Sequence, residues 1–336
     1  MKKTLLAAAL AVFAAPALAL DVGNYTYEPL FSYDEMRAIS NDDVRVRVVM
    51  FDAQNPDLLL LFADEGGSGE SWLFAYDLGL ETIELLGGDS LDNLVGEATT
   101  FRHGAIAAGA GLIAYHDNNN RGTIRAVEVA TGTLVAEVIV DSALENVGSF
   151  AYLGNNIWAA PERGVEDGDL LLIDAGAGTV TTAVENLGNV TNLDVVGPDA
   201  VIVGLADGET IYHIADVTGA SPVVTDVTPA GAAGRDIAGL AAVSQDVYAV
   251  LDRSPSGFND DIIAIWDGTD LTDLVLSDIA PPGELYPNFH HGMAMIQPDP
   301  ESLHLYIANF NNFVNEPAFV RLVWEDITSV GDWTLY

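Results

Sequence analysis

Cysteine is absent from the 336 residues, which excludes disulfide frameworks, thiolate metal sites, cysteine nucleophiles and lipoprotein anchoring. Basic residues are nearly as scarce. Twelve Lys plus Arg stand against 50 Asp plus Glu, giving a formal net charge of −38 and a pI near 4.1. So negative a surface repels phosphate backbones and anionic lipids, which argues against nucleic acid or a membrane surface as partner. The lysines are Lys2 and Lys3 alone, so the rest of the chain has no Schiff-base lysine, P-loop lysine or lysine general base. Scarce lysine with abundant aspartate points to adaptation to salty water, where screening tolerates self-repulsion. No GxSxG, HExxH, EF-hand loop or GxGxxG motif is present to name an enzyme class.

What is there suffices for a core. Hydrophobic residues make up 49% of the chain and mean hydropathy is +0.25, well above the range of disordered segments. Residues 1–19 read as a secretory signal peptide. Lys2 and Lys3 form its charged start, Leu5 to Phe13 an apolar stretch too short to span a bilayer, and Ala17-Leu18-Ala19 a small-x-small cleavage site. The expected location is therefore periplasmic or secreted, with no membrane segment after cleavage.

The informative signal is internal repetition. Six alternating apolar runs end near Asp or Glu: Trp72–Asp77, Thr123–Glu128, Leu170–Asp174, Thr210–Asp216, Ile262–Asp267 and Phe319–Glu325. Runs that precede them open near Val44 and near 103, 148, 192, 238 and 292, a period of about 45 residues. Four short strands per period indicate an all-β, six-bladed β-propeller with four antiparallel strands per blade. Residues 44–336 form the propeller, and 20–43 are an N-terminal segment expected to pair with the last blade, because circular closure removes exposed edges. One short helical turn is expected over Tyr33–Ile39.

In such a meander, the loops joining second to third strands and one blade to the next share a face at the central channel. Arg102, Arg121, Arg163, Arg235 and Arg253 fall in these loops, with His103, His116, His290 and His291. His103 begins the first strand and His116 ends the second strand of one hairpin, so the two are expected opposite each other. His291-Gly292-Met293-Ala294 echoes His103-Gly104-Ala105-Ile106. Imidazoles aimed at one axis suit a divalent metal, and Asp117 or Glu162 would complete a site. The metal candidates are His103, His116, His291 and Asp117, for Zn or Ca. The candidates for gripping an anionic substrate are Arg102, Arg121, Arg235 and Arg253. Each set has a structural alternative: histidines bonded to loop carbonyls, arginines neutralising crowded acids. Asn118, Asn119 and Asn120, like Asn309, Asn311 and Asn312, are either oxygen donors for calcium or turn formers.

Several segments resemble the β-propeller phytases and phytase-like esterases. They are Asp42-Asp43, Phe51–Asp57, Asn120–Ile124, Thr131–Leu134, Asp236–Leu240 and Leu322–Ile327. The resemblance implies a six-bladed fold and acids at the starts of the inner strands that hold calcium against phosphate. At those positions this chain carries His103, Asn192, Ala238 and His291, and it has no phosphate-binding lysines. His290–Ala294 also resembles the paired-histidine strand of periplasmic zinc-chaperone propellers. Two functions are thereby expected. One is a metal-dependent hydrolase of an ester or phosphoester; the other is a non-enzymatic metal- or ligand-binding chaperone or scaffold. The partner in either case is a small molecule or a metal ion.

Overall fold

The computed structural model describes residues 18–19, 24–325 and 328–329, less 43, 53–54, 65–69, 96–100, 110–111, 118–122, 129–130, 132, 140–149, 163–165, 175, 206–209, 254–260, 281–284, 286–291, 300 and 310–316; at 18–19, 52, 55–56, 95, 101–124, 134–139 and 328–329 it describes the backbone alone. The described strands make six four-stranded antiparallel sheets. Five are uninterrupted meanders. Blade 1 is Arg45–Asp52, Asn55–Asp64, Ser71–Asp77 and Thr82–Leu85; blade 2 is Phe101–Gly109, Leu112–Asp117, Thr123–Glu128 and Leu134–Ile139. Blade 3 is Ala151–Gly154, Ile157–Pro161, Leu170–Asp174 and Thr179–Val184; blade 4 is Val190–Gly197, Ala200–Leu205, Ile211–Ala215 and Val223–Asp226. Blade 5 is Ile237–Ser244, Val247–Asp252, Ile262–Trp266 and Leu271–Val275. The remaining sheet is composite: Met293–Asp299, Ser302–Ala308 and Phe319–Trp324 are joined at the outer edge by the N-terminal strand Thr26–Phe31. The first strands touch in cyclic order, and that of blade 6 returns to that of blade 1. This closed ring is a β-propeller.

The strands are apolar on both faces because each blade is sandwiched between two others. In blade 1, Leu59, Leu61 and Ala63 pack toward blade 6, while Leu60 and Phe62 pack toward blade 2. In blade 5, Ala249 and Leu251 join the seam with blade 6, and Tyr248 and Val250 that with blade 4. Each such leucine, valine or phenylalanine, fully buried, contributes roughly 1.5–3 kcal/mol, so the core is a set of seams around the channel.

The recurring acid at the end of the third strand has a structural cause. Asp77 Oδ1 accepts the Gly79 and Leu80 N–H groups at 2.9 and 2.8 Å, and Asp267 Oδ1 those of Thr269 and Asp270 at 2.9 and 2.8 Å. Asp174 Oδ1 accepts from Ala177 N at 2.8 Å, and Glu128 Oε2 from Thr131 Oγ1 at 2.7 Å. The carboxylate thus closes the turn into the outermost strand.

The N-terminal helix is longer than the single turn expected. Helix α1 spans Tyr33–Ser40 because a capping box fixes its start: Ser32 N donates to Glu35 Oε2 at 2.8 Å and Glu35 N to Ser32 Oγ at 3.3 Å. Asn41, at φ 59°, ends it in the left-handed conformation. Short helices at Leu91–Val95 and Leu276–Ile279 are not foreshadowed by any periodicity in the sequence. Leu18 and Ala19 pair with Ser329 and Thr328 in a two-stranded ladder. No described helix is long and apolar enough to cross a membrane.

Candidate functional site

The mouth of the channel is where first strands begin and second strands end. Three blades place an aspartate there by register: Asp64 opposite Arg45, Asp117 opposite Phe101, and Asp252 opposite Ile237. The first strands also lose register near this end, between Val46 and Val48, Phe101 and Ile106, Val190 and Asn192, and Ile237 and Gly239. Such irregularities re-aim side chains and recur beside binding sites. They put Arg47, the 102–105 stretch, Thr191 and Ala238 at comparable levels of four blades.

Three described arginines here are paired with aspartates. Arg47 Nε lies 2.8 Å from Asp64 Oδ2, and burial pulls the guanidinium below its ordinary pKa against the opposing pull of Asp64. Arg235 Nη1 lies 3.1 Å from Asp252 Oδ2 and its Nη2 2.9 Å from Asp273 Oδ1, while Nε donates to the Gly231 carbonyl at 3.1 Å. The other Asp252 oxygen accepts the Asp236 N–H at 3.0 Å. Arg253 Nε lies 3.2 Å from Asp261 Oδ2. Next to blade 1, the Tyr33 hydroxyl of α1 donates to the Asn309 carbonyl, and Asn309 Nδ2 donates to the Pro317 carbonyl at 2.6 Å.

Of the residues singled out from sequence, Arg235 and Arg253 are described in full, and each is tied to buried aspartate. Arg102, His103, His116 and Asp117 are placed by backbone only. Asp117 faces Phe101, not His103, across the ladder, and His116 pairs outward with Ile124. The ladder between Phe101 and Ile106 is irregular, so the expected His103–His116 facing pair has no regular register to sit in. Arg121, Arg163, His290 and His291 lie outside the described residues. Glu162 serves a loop: its Oε2 accepts the Asp169 N–H at 2.9 Å. Among the described residues no cluster of three or more His, Asp or Glu side chains is arranged to hold a metal.

Sequence reasoning missed Arg47, Asp64 and Asp252 as residues of the mouth. Arg47 escapes a search confined to loops because it lies in a strand. Asp64 and Asp252 become visible, beside the already named Asp117, once second strands are aligned by their ends. Asn192, on the first strand of blade 4, is buried and donates from Nδ2 to Thr191 Oγ1 at 2.8 Å; Thr191 Oγ1 reaches the Ile237 carbonyl of blade 5 at 3.4 Å.

No family model and no curated protein matches the chain. Solved structures do. A luciferin-regenerating enzyme superposes with a TM-score of 0.52 at 10% identity, covering 92% of this chain and 96% of its own. A putative TolB from Agrobacterium tumefaciens gives 0.50 at 14% identity, covering 82% and 90%. At such identities the likeness shows the fold. It carries no activity, and the resemblance to phytases finds no support in it beyond the β-propeller itself.

Proposed function

We propose that the protein is a metal-dependent hydrolase of an ester or phosphoester, acting in the periplasm or outside the cell, with its site at the channel mouth. The observation that carries this reading is the hairpin of blade 2. Pairing of Phe101 with Asp117 brings Arg102 and His103 to the same end of one ladder as His116 and Asp117. Imidazole and carboxylate donors there suit zinc, and calcium is the alternative if oxygen donors dominate. His103, His116 and Asp117, with His291 from blade 6, would hold the ion, which when bound supplies Lewis acidity to the substrate or to water. Arg102 and Arg121 would then orient the anionic part of the substrate.

The test is metal analysis of the purified protein, followed by turnover of generic phosphoesters and carboxylic esters with Ca²⁺, Zn²⁺ or Mn²⁺. Bound metal and turnover in wild type, both lost in His103→Ala, is the expected outcome. Absence of turnover with any of the three ions rejects the hydrolase.

A second reading, a non-enzymatic metal- or ligand-binding propeller, is favoured by Arg235 and Arg253. Both guanidiniums are held by aspartates at about 3 Å, the geometry of internal neutralisation rather than of a waiting anion clamp. Metal uptake lost in His103→Ala, with no turnover in any protein, is the outcome that selects it.

A further inference from the structure

Away from the channel mouth, a cleft opens on the outer rim where the N-terminal strand of blade 6 meets blade 1. Its volume is about 280 Å³, and it is lined by Glu28, Pro29, Leu30, Tyr76, Glu81 and Arg321. The first three belong to the strand Thr26–Phe31, and Arg321 to its neighbour Phe319–Trp324. Tyr76 lies one residue before the end of the third strand of blade 1, and Glu81, at φ 52°, follows in the turn to the fourth.

The guanidinium of the cleft is already committed. Arg321 Nε and Nη2 both donate to Glu28 Oε2, the Nε bond at 2.7 Å. The same group bonds the Tyr306 hydroxyl and lies 6.0 Å from that ring's centroid. Glu28 Oε1 and the Glu81 carboxylate have no hydrogen-bond partner among the described residues. Two carboxylates against one guanidinium leave the cleft negative. Acids alone would be solvated surface, but Tyr76 sets this place apart. It is 3% exposed, and its ring packs on Phe31 and Phe319 with centroids 5.5 and 6.3 Å apart. Its hydroxyl has no hydrogen-bond partner among the described residues, and the charged groups that act on it are Glu81, Arg321 and Glu28, all lining the cleft. A buried hydroxyl left without a partner is costly, so one that faces a cleft has an unmet bond to offer.

We propose that this cleft binds the ammonium group of a small primary aliphatic amine. The three N–H donors of such a group match three acceptors: Glu28 Oε1, a Glu81 oxygen and the Tyr76 hydroxyl oxygen. Pro29 and Leu30 give the alkyl stem an apolar wall. Burial, and after it Glu81, raises the Tyr76 pKa, so the hydroxyl stays neutral and able to accept. An anion would meet two carboxylates and a cation that is already paired. A quaternary ammonium carries the same charge as a primary one but no N–H, so it leaves the hydroxyl unsatisfied. The site shares no residue with the channel mouth, and its occupancy is independent of any metal or turnover there.

The experiment is calorimetric titration of the full chain at neutral pH and low ionic strength with n-butylammonium, and with n-butyltrimethylammonium as the probe of equal charge that lacks N–H donors. Saturable binding of butylammonium is expected, with the trimethylated probe weaker by roughly tenfold or more. Glu81→Gln and Tyr76→Phe should each weaken butylammonium by about tenfold. Glu81 is a turn residue and Tyr76→Phe keeps the packed ring, so both variants retain the fold, which their melting temperatures check. A strongly negative protein attracts any cation weakly, and that attraction does not distinguish the probes or the variants. Equal binding of the two probes, unchanged affinity in both variants, or no binding of butylammonium overturns the site.

Discussion

At the scale of single residues, the arginines of the channel mouth separate binding from architecture. Arg235 sits where the sequence places it, but its guanidinium is committed to Asp252 and Asp273. The sequence could not show this. Asp252 is 17 positions away, at the end of the neighbouring strand, and only the register of the ladder brings the two together. A broken buried pair costs more than a missing one, because the surviving charge is left without compensation. Arg235→Met should therefore lower unfolding stability by about 3–5 kcal/mol, measured in urea, and adding Asp252→Leu should recover most of that loss. A single variant as stable as wild type would make Arg235 a substrate-binding cation again. Asp194 was invisible at this scale for a different reason: its Oδ2 accepts a backbone N–H, that of Ala242, from another blade.

At the scale of elements, the third strands were the most legible parts of the chain. Ile262–Trp266 and Phe319–Trp324 match their apolar runs almost to the residue, because two-sided burial makes them continuously apolar and the turn-closing acid punctuates them. Helix α1 was under-read because eight residues give little periodicity; Ser32 and Glu35, three apart, were the available signal. The outer strand Thr26–Phe31 closes blade 6. Glu28 lies opposite Arg321 in the ladder and accepts from its Nε at 2.7 Å. Phe31 stacks on Phe319 with centroids 5.2 Å apart. Deleting residues 20–31 uncovers the edge of Phe319–Trp324, and an uncovered flat edge recruits other chains. The shortened protein should elute as aggregate in size-exclusion chromatography and melt below wild type. A monomer of unchanged Tm would show that the strand is dispensable.

At the scale of the whole molecule, a net charge of −38 opposes compaction. The ten arginines include several spent on internal pairs, such as Arg47, Arg253 and Arg321, so they do little for the exterior. Raising ionic strength from 0.01 to 1 M shortens the Debye length from about 30 to about 3 Å. Thermal stability should climb with sodium chloride over that range, by roughly 2–4 °C for each kcal/mol of repulsion relieved. A Tm independent of salt would mean that the acids are too dispersed to repel one another. The ring itself was legible from its period of about 45 residues. The mouth was not, because its charges act in pairs drawn from different strands.

The composite blade also sets an order of events in time. Glu28 and Arg321 are 293 residues apart, so the strand Thr26–Phe31 can reach its place only after Arg321 has been made. Closure of so long a loop is slow. Until it happens, the nascent protein is an arc with two sticky ends, dependent on whatever holds those ends apart while synthesis is completed.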